Sequence, residues 1–364
     1  MSAAVAGDAD AAAVTGAVTG PTADDVSMTF RVADASRALA GVRLQQLARI
    51  PGDQLDFRRA DGGWKLVLPR PPVSRLEYLL ELDYAGGGSK VVTDPANPRQ
   101  APGAFGPKSV LEFPGYAPPG WLAAPADPGT RRALEVRAPA LDEPVGVMLW
   151  APSGAADDEP LPLLLVNDGP EYDSLASLTQ YLGAGIAGGW LPRLRAALLS
   201  PGPRNSWYSA SSRYARALTG QVIPALAAAT AATAWIGMGT SLGALAMLHA
   251  HCRYPGVLGG LFLQSGSFFT PPLDGQERRF PYFRRITAFT AALAGGSVAG
   301  DPVPVVMTCG SIEENVENNR LTRRLLASAG YPAALHEVAD LHNFTAWRDA
   351  FHPHLAVLIA AAVS

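Results

Sequence analysis

The pattern of apolar and polar positions differs between the first third of the chain and the remainder. From residue 26 to residue 122, short runs alternate apolar and polar residues, which indicates β-strands with one buried face. Two of these runs, 55–59 and 64–68, flank Asp61-Gly62-Gly63, a sequence typical of a tight hairpin turn. Short strands at this spacing predict a β-sandwich. The strand-like runs are 27–32, 41–47, 55–59, 64–68, 75–82 and 90–93.

Beyond residue 130, apolar strand-like runs alternate with segments of helical periodicity. This order predicts the α/β class, with a mostly parallel sheet covered by helices on both faces. The predicted strands are 133–137, 145–151, 161–167, 195–199, 234–238, 259–264, 304–309 and 334–338. The predicted helices are 174–186, 214–228, 242–253, 318–329 and 345–361.

Composition suggests how these parts are joined. Residues 113–128 are rich in Pro and Gly and are interpreted as a linker. The predicted organisation is a tail at residues 1–25, a β-sandwich domain at 26–122 and an α/β domain at 123–364. The tail has neither the basic start nor the apolar block of a secretory signal, and its small residues are typical of a flexible segment.

Bulk properties exclude several classes of protein. The chain has 364 residues, 48% hydrophobic and 17% charged, which is typical of a globular protein. Its net charge of -3 gives no electrostatic reason to expect a nucleic-acid or membrane partner, and apolar runs are too short to span a bilayer. Because Cys252 and Cys309 both lie in apolar runs, no disulfide is expected and a reducing, cytoplasmic location is predicted.

The clearest chemical signal is a turn between an apolar run and a helical segment. Residues 235–238 lead into Gly239-Thr240-Ser241-Leu242-Gly243, which has the G-x-S-x-G pattern of a nucleophile elbow in the strand–turn–helix context that this motif requires. Small residues are needed two places on either side of the serine, because a Cβ there would strike the neighbouring strand or helix. Ser241 is therefore the candidate nucleophile, and the alternative is a serine that only caps the helix.

A nucleophilic serine needs a base, and the base needs an acid that orients it. Of six histidines, His342 is predicted to lie in a loop just after the last strand, where its imidazole reaches the carboxyl edge of the sheet; the alternative is a surface histidine. The acid is expected after the preceding strand, where Glu313 is preferred over Glu314, and either could instead be a helix N-terminal charge. Asp340 is a third candidate and is expected to shape the loop instead.

An oxyanion hole requires two donors. The backbone N–H of Leu242 is the first candidate, because it opens the helix after the serine. The second donor should come from the loop after the third strand of the α/β domain. Pro170 in that loop has no N–H, so the candidates are the amides of Gly169 and Glu171 or a side chain, and the choice stays open.

Six motifs follow one another along the α/β domain: Asp168-Gly169, Gly239-Thr240-Ser241-Leu242-Gly243-Ala244-Leu245, Leu263-Gln264-Ser265-Gly266-Ser267-Phe268, Gly310-x-x-Glu313, Asn319-Arg320 and His342-Asn343-x-x-x-Trp347-Arg348. Together they resemble the enterochelin (ferric enterobactin) esterase family, whose members are α/β-hydrolases. The resemblance places that family's triad on Ser241, Glu313 and His342.

The first domain also resembles a known module. It is similar to the early-set immunoglobulin-like domain of the same family, and segments 94–98 and 105–109 are similar to glycan-binding relatives of that domain. Two positions depart from the family's pattern. Asn343 stands where members often carry Asp, which should be tolerated, and Pro170 stands where an N–H is usually donated, which affects the oxyanion geometry.

Substrate contacts are expected from residues 201–208, which follow the fourth strand of the α/β domain and should rim the site. Arg204 is a planar cation suited to carboxylate or catecholate oxygens, and Trp207 and Tyr208 are suited to stacking on an aromatic acyl group. The alternative is an arginine and two aromatic residues that pack the loop.

These observations predict a serine esterase that acts through an acyl-enzyme. Neither a metal ion nor an organic cofactor is expected. The resemblance implies a small-molecule ester as substrate, a siderophore ester with or without iron. The alternatives are a feruloyl-type esterase, an acyltransferase, or a ligand- or glycan-binding protein without catalytic activity, while the oligomeric state is left open.

Overall fold

The computed structural model describes residues 20–298 and 300–363. The described residues form two compact units, the first within Met1–Ala117 together with Ala339–Leu341 and the second within Pro118–Val338 together with His342–Ser364. The first nineteen residues of the predicted tail lie outside the described residues. Strand pairing starts at Thr22, which is opposite Thr29.

The first unit contains two antiparallel sheets. Their orders are β1-β2-β5-β4 and β3-β6-β9-β8, with β7 paired to β6. Phe30 of the first sheet and Tyr78 of the second are buried and meet edge to face, with ring centroids 4.9 Å apart. The immunoglobulin-like class of this unit stays a prediction. The strands are β1 (Thr22–Ala23), β2 (Ser27–Ala33), β3 (Leu39–Gln46), β4 (Arg58–Ala60), β5 (Gly63–Pro69), β6 (Arg75–Tyr84), β7 (Ser89–Val92), β8 (Gln100–Ala101) and β9 (Lys108–Glu112).

The second unit is built on an eight-stranded sheet of order β10-β11-β13-β12-β14-β15-β16-β17. The pairs β10–β11 and β11–β13 are antiparallel and the remaining pairs are parallel, so the predicted α/β class is confirmed. Its central strands are largely apolar because helices cover both faces. The strands are β10 (Thr130–Val136), β11 (Val145–Ala151), β12 (Leu161–Asn167), β13 (Arg195–Leu199), β14 (Ala232–Thr240), β15 (Gly260–Gln264), β16 (Val305–Gly310) and β17 (Ala333–Val338).

Several helices differ from the predicted ones. The predicted helix 174–186 is two helices, because Ser177 adopts a left-handed conformation with φ 55°. The predicted helix 345–361 is also divided, and Pro353 lies just before its second part. The helix 283–294 was not predicted. The helices are α1 (Gly169–Ala176), α2 (Leu178–Ala187), α3 (Arg204–Tyr208), α4 (Ser212–Ala217), α5 (Ile223–Ala229), α6 (Leu242–Arg253), α7 (Phe283–Ala294), α8 (Val316–Ser328), α9 (Phe344–Asp349) and α10 (His354–Val363).

The parallel strands bring six loops to one edge of the sheet. The carboxyl ends of β12, β13, β14, β15, β16 and β17 all face this edge, and open α/β sheets bind their ligands there. Among residues 20–298 and 300–363, every helix is too short or too polar to cross a bilayer.

Candidate active site

The turn between β14 and α6 holds Ser241 in a strained backbone. Its φ of 55° and ψ of −121° lie outside the regions that residues with a side chain normally adopt. A Cβ added to Gly239 would lie 2.5 Å from the backbone carbonyl of Gly243, so the close approach of strand and helix requires glycine. The strain and this close approach are the geometry predicted for a nucleophile elbow.

Two hydrogen bonds of the loop after β15 reach Ser241. Its hydroxyl lies 3.0 Å from the hydroxyl of Ser267, and the N–H of Ser267 donates to its carbonyl at 3.1 Å. Within the part of the chain that the structure describes, no hydrogen bond joins Ser241 to His342. Catalytic hydrogen bonds are often long before substrate binds and become shorter in the substrate complex.

Glu313 lies between β16 and α8 and is 1% exposed. Its Oε1 accepts a hydrogen bond from the thiol of Cys309 at 2.7 Å, and its Oε2 accepts one from the hydroxyl of Ser265 at 3.1 Å. Burial opposes the charge, but contact with His342 together with these two donors outweighs it and lowers the pKa of Glu313 below its usual value. The carboxylate is therefore charged and held in place.

His342 lies in the loop between β17 and α9, as expected. Its Nδ1 is 3.5 Å from Oε2 of Glu313, which is an ion-pair distance when the imidazole is protonated but longer than a well-formed hydrogen bond. The imidazole packs edge to face on Trp347, with ring centroids 5.0 Å apart. Asn343 precedes the next helix, where its Oδ1 accepts the N–H of Ala346 at 2.8 Å, so this residue serves as a helix cap.

The other two carboxylates have different surroundings. Glu314 is exposed, whereas its neighbour Glu313 faces the imidazole. Asp340 accepts the N–H of Leu341 at 2.7 Å and pairs with Arg75 at 3.2 Å within the first compact unit. These contacts hold Asp340 within its loop and pair it with Arg75 of β6.

The loop after β12 enters α1 through Asp168, which has a left-handed φ of 54°. Pro170 occupies the first turn of the helix, where a missing N–H breaks no helical bond. Burial and the charge of Asp168 raise the pKa of Glu171, while its own backbone N–H and Arg204 act in the opposite direction.

The predicted substrate residues of α3 are largely turned inward. Arg204 binds both carboxylate oxygens of Asp168 through Nε and Nη2, each at 2.8 Å, and one third of its side chain is exposed. Trp207 and Tyr208 are buried. The Trp207 ring stacks on Tyr214, with centroids 5.8 Å apart. Both aromatic residues therefore pack the loop, which is the alternative interpretation of these two positions.

The sequence reasoning did not assign roles to Ser265, Ser267 and Cys309. All three contact Ser241 or Glu313. The run Leu263–Phe268 carried a signal, because it was one of the family-like motifs. Cys309 lies in the apolar strand β16, and the sequence alone did not distinguish it from a core residue. Both cysteines are buried free thiols.

Comparisons with known proteins place this fold among esterases. No family model matches the sequence, and a search of curated proteins finds no match. The ferric enterobactin esterase of Salmonella typhimurium has a similar structure, with a TM-score of 0.76 and 18% identity over 95% of this chain and 98% of that one. The enterobactin esterase of Shigella flexneri, solved in the presence of enterobactin, gives a TM-score of 0.73 and 17% identity over 94% and 96%.

A ferulic acid esterase is a more distant neighbour. It has a TM-score of 0.54 and 12% identity, and the match covers 64% of this chain and 99% of that one. The likeness to the enterobactin esterases extends over both compact units, whereas this one covers about two thirds of the chain. The chain therefore has the fold of the enterochelin esterases over about 95% of its length.

Proposed function

We propose that this protein is a serine esterase of the enterochelin esterase type, which hydrolyses siderophore esters. The observation that carries the proposal is the meeting of two of the predicted triad residues in one place: the imidazole of His342 lies 3.5 Å from the buried carboxylate of Glu313. The third, Ser241, occupies a strained turn at the same edge of the sheet.

In the proposed reaction, the oxygen of Ser241 bonds to the ester carbonyl carbon while its proton moves to His342. Glu313 orients the imidazole and stabilises its positive form. Collapse of the intermediate breaks the ester bond, and the leaving alcohol takes the proton from His342. Water then attacks the acyl-enzyme, gives a proton to His342 and releases the acid, after which the proton returns to Ser241.

The proposed oxyanion donors are two backbone amides. Leu242 is the first residue of α6, and an N–H in the first turn of a helix has no partner within that helix. The second proposed donor is the amide of Gly169 or that of Glu171, which flank Pro170 in the first turn of α1. Pro170 does not oppose this assignment, since α1 begins without its N–H.

Arg204 is the proposed substrate residue that keeps an exposed surface. In the described part of the chain its hydrogen bonds to Asp168 use Nε and Nη2, so an anionic substrate oxygen would approach Nη1. The buried Tyr208 lies beside this arginine, with the Arg204 guanidinium 5.6 Å from the centre of the Tyr208 ring.

The test uses purified full-length protein, Ser241→Ala as the inactive control, and three esters: p-nitrophenyl butyrate, ferric enterobactin and methyl ferulate. We expect turnover of the first two, with loss of at least about 10³-fold in the variant, because removal of a catalytic serine leaves only binding and oxyanion effects. Equal rates for both proteins would contradict the esterase and favour a ligand-binding protein. Preference for methyl ferulate, or diversion of product to a new ester by added alcohol, would reassign the substrate or reaction.

The remaining predictions belong to the same proposal. The immunoglobulin-like class and possible glycan binding of the first unit are supported so far by sequence resemblance alone. The cytoplasmic location rests on the two buried free cysteines, Cys252 and Cys309. Fractionation of the native host with an antibody to this protein checks the location directly.

A further inference from the structure

One tripeptide in the loop after β15 contacts both ends of the proposed triad. The hydroxyl of Ser267 is 3.0 Å from the hydroxyl of Ser241. Two residues earlier, the hydroxyl of Ser265 donates to Oε2 of Glu313 at 3.1 Å. The segment Ser265-Gly266-Ser267 therefore links the position of the nucleophile to the position of the acid.

The segment is itself held by two asparagines of the neighbouring loop and helix. Asn319 accepts the N–H of Gly266 and donates to its carbonyl, both at 3.0 Å. Asn315 donates to the carbonyl of Ser265 at 3.2 Å. The indole N–H of Trp347 donates to the Ser265 hydroxyl at 2.9 Å. These buried hydrogen bonds fix the backbone between Ser265 and Ser267, so both serines are held in position.

Burial decides which serine donates in the Ser241–Ser267 hydrogen bond. Ser267 is 3% exposed, and within the described residues its hydroxyl has Ser241 as its hydrogen-bond partner. A buried hydroxyl proton needs an acceptor in the protein, and the oxygen of Ser241 is the one within reach. Ser241 is partly exposed, so its own proton can point to solvent or to His342.

We propose that Ser267 is a catalytic residue that donates a hydrogen bond to the reacting oxygen of Ser241, and that Ser265 is a positioning residue for Glu313. This assignment rests on the proposed function. As Ser241 gives its proton to His342 and bonds to the carbonyl carbon, Ser267 keeps its own proton and stabilises the charge that develops on the Ser241 oxygen. The same hydrogen bond stabilises that oxygen when it leaves the acyl-enzyme and recovers its proton from His342.

The test compares Ser267→Ala with Ser209→Ala. Ser209 is a matched control because it is also a buried serine, and its hydroxyl donates to the carbonyl of Asn205, outside the proposed catalytic set. With p-nitrophenyl butyrate we expect Ser267→Ala to lose about 10- to 100-fold in kcat with little change in KM, the range for loss of one hydrogen bond to a charged transition state. Ser209→Ala should keep its kcat.

A second measurement separates direct action from a folding defect. Stoichiometric labelling of Ser241 by a fluorophosphonate should slow in Ser267→Ala by a similar factor, while the thermal unfolding midpoint should match that of Ser209→Ala. If Ser267→Ala does not fold, Ser267→Cys keeps nearly the same volume with a weak donor and replaces it. When Ser267→Ala is added to Ser241→Ala, the residual rate should change by less than about twofold. The reason is that Ser267 acts through the Ser241 oxygen, which is already absent in that variant.

The Ser265 part has its own readout. Ser265→Ala removes one of the donors that lower the pKa of Glu313, so the acidic limb of kcat/KM should move to higher pH, while Ser209→Ala keeps the wild-type profile. An active wild type with full kcat in both Ser267 variants would overturn the role of Ser267, and an unmoved profile would overturn that of Ser265. A wild type that neither turns over esters nor takes up label would instead defeat the proposed function itself.

Discussion

The two ends of the proposed triad are built in opposite ways. Ser241 sits in a strained turn, is partly exposed, and its hydroxyl contacts the single hydroxyl of Ser267. Glu313 is almost fully buried and receives donors on both carboxylate oxygens, from Cys309 and Ser265, besides the contact with His342.

The difference follows from what each group must do. A nucleophile must give up its proton and form a new bond, and the proposed hydrogen bond from Ser267 to the Ser241 oxygen leaves the proton of Ser241 free to move to the base. An acid that only orients an imidazole does its work by staying still, and each donor that fixes it also keeps it charged. Strain and exposure thus occur at the reacting serine, while burial and hydrogen bonds concentrate at the carboxylate.

Two single substitutions, Glu313→Gln and Glu314→Gln, test which carboxylate acts as the triad acid. Glu313→Gln should lower kcat about 10³- to 10⁴-fold, the loss typical of a neutralised triad acid, because an amide cannot stabilise the protonated imidazole. Glu314→Gln is the matched control, since that side chain is exposed, and its kcat should stay within about twofold. Steady-state kinetics with p-nitrophenyl butyrate measures both, and the reverse ranking would move the acid to Glu314.

The nucleophile end depends on close backbone packing. Gly239→Ala places a Cβ 2.5 Å from the backbone of Gly243, so we expect the free energy of unfolding to fall by about 3 kcal/mol or more. Gly220→Ala is the control, because nothing lies within 4 Å of its Cβ position, and its change should be small. Urea unfolding measures both. A Gly239→Ala protein as stable as Gly220→Ala would show that the turn is looser than described.

Acid should weaken the helix that carries the nucleophile before it weakens the acid loop. Burial, with Arg253 and Arg285 adding to it, lowers the pKa of His249 on α6 to about 4 from the usual 6.5. Below pH 6.5, His249 binds a proton in the unfolded chain but stays neutral in the folded chain. The free energy of unfolding therefore falls between pH 6.5 and about 4, by up to about 3 kcal/mol. His249→Leu should flatten this part of the stability curve.

Glu313 should affect stability over a lower pH range than His249 does. Its folded pKa is lowered, so its stabilisation is complete above the usual value of 4.5 and is lost as the pH falls through the folded value. Glu313→Gln should therefore lower stability above about pH 4.5 by a constant amount and remove the loss that wild type shows below that pH. Urea unfolding at a series of pH values measures both variants. A loss confined below pH 4.5 in wild type would contradict the role of His249.

The elements of the α/β part were predicted well where the chain is apolar without interruption. The predicted bounds of β11, β12, β13 and α6 agree with the structure, because buried parallel strands and a buried helix leave continuous or strictly periodic apolar patterns. The break between α1 and α2 at Ser177 was not predicted, since nothing in the residue type requires a left-handed serine. Such breaks depend on what the helix packs against.

The sequence by itself determined the class of the second unit, the turn around Ser241 and the short set of candidates for base and acid. These are local properties: glycine spacing, apolar runs and the order of residues along the chain. Only the tertiary structure decided that Glu313 and not Glu314 faces His342, that Trp207 and Tyr208 are buried, that Arg204 pairs with Asp168, and that Ser265 and Ser267 contact the acid and the nucleophile. Those facts depend on contacts between side chains that are far apart in the sequence. Burial and hydrogen bonding are decided by which residues lie close together in space, and the amino-acid sequence does not give these spatial neighbours directly.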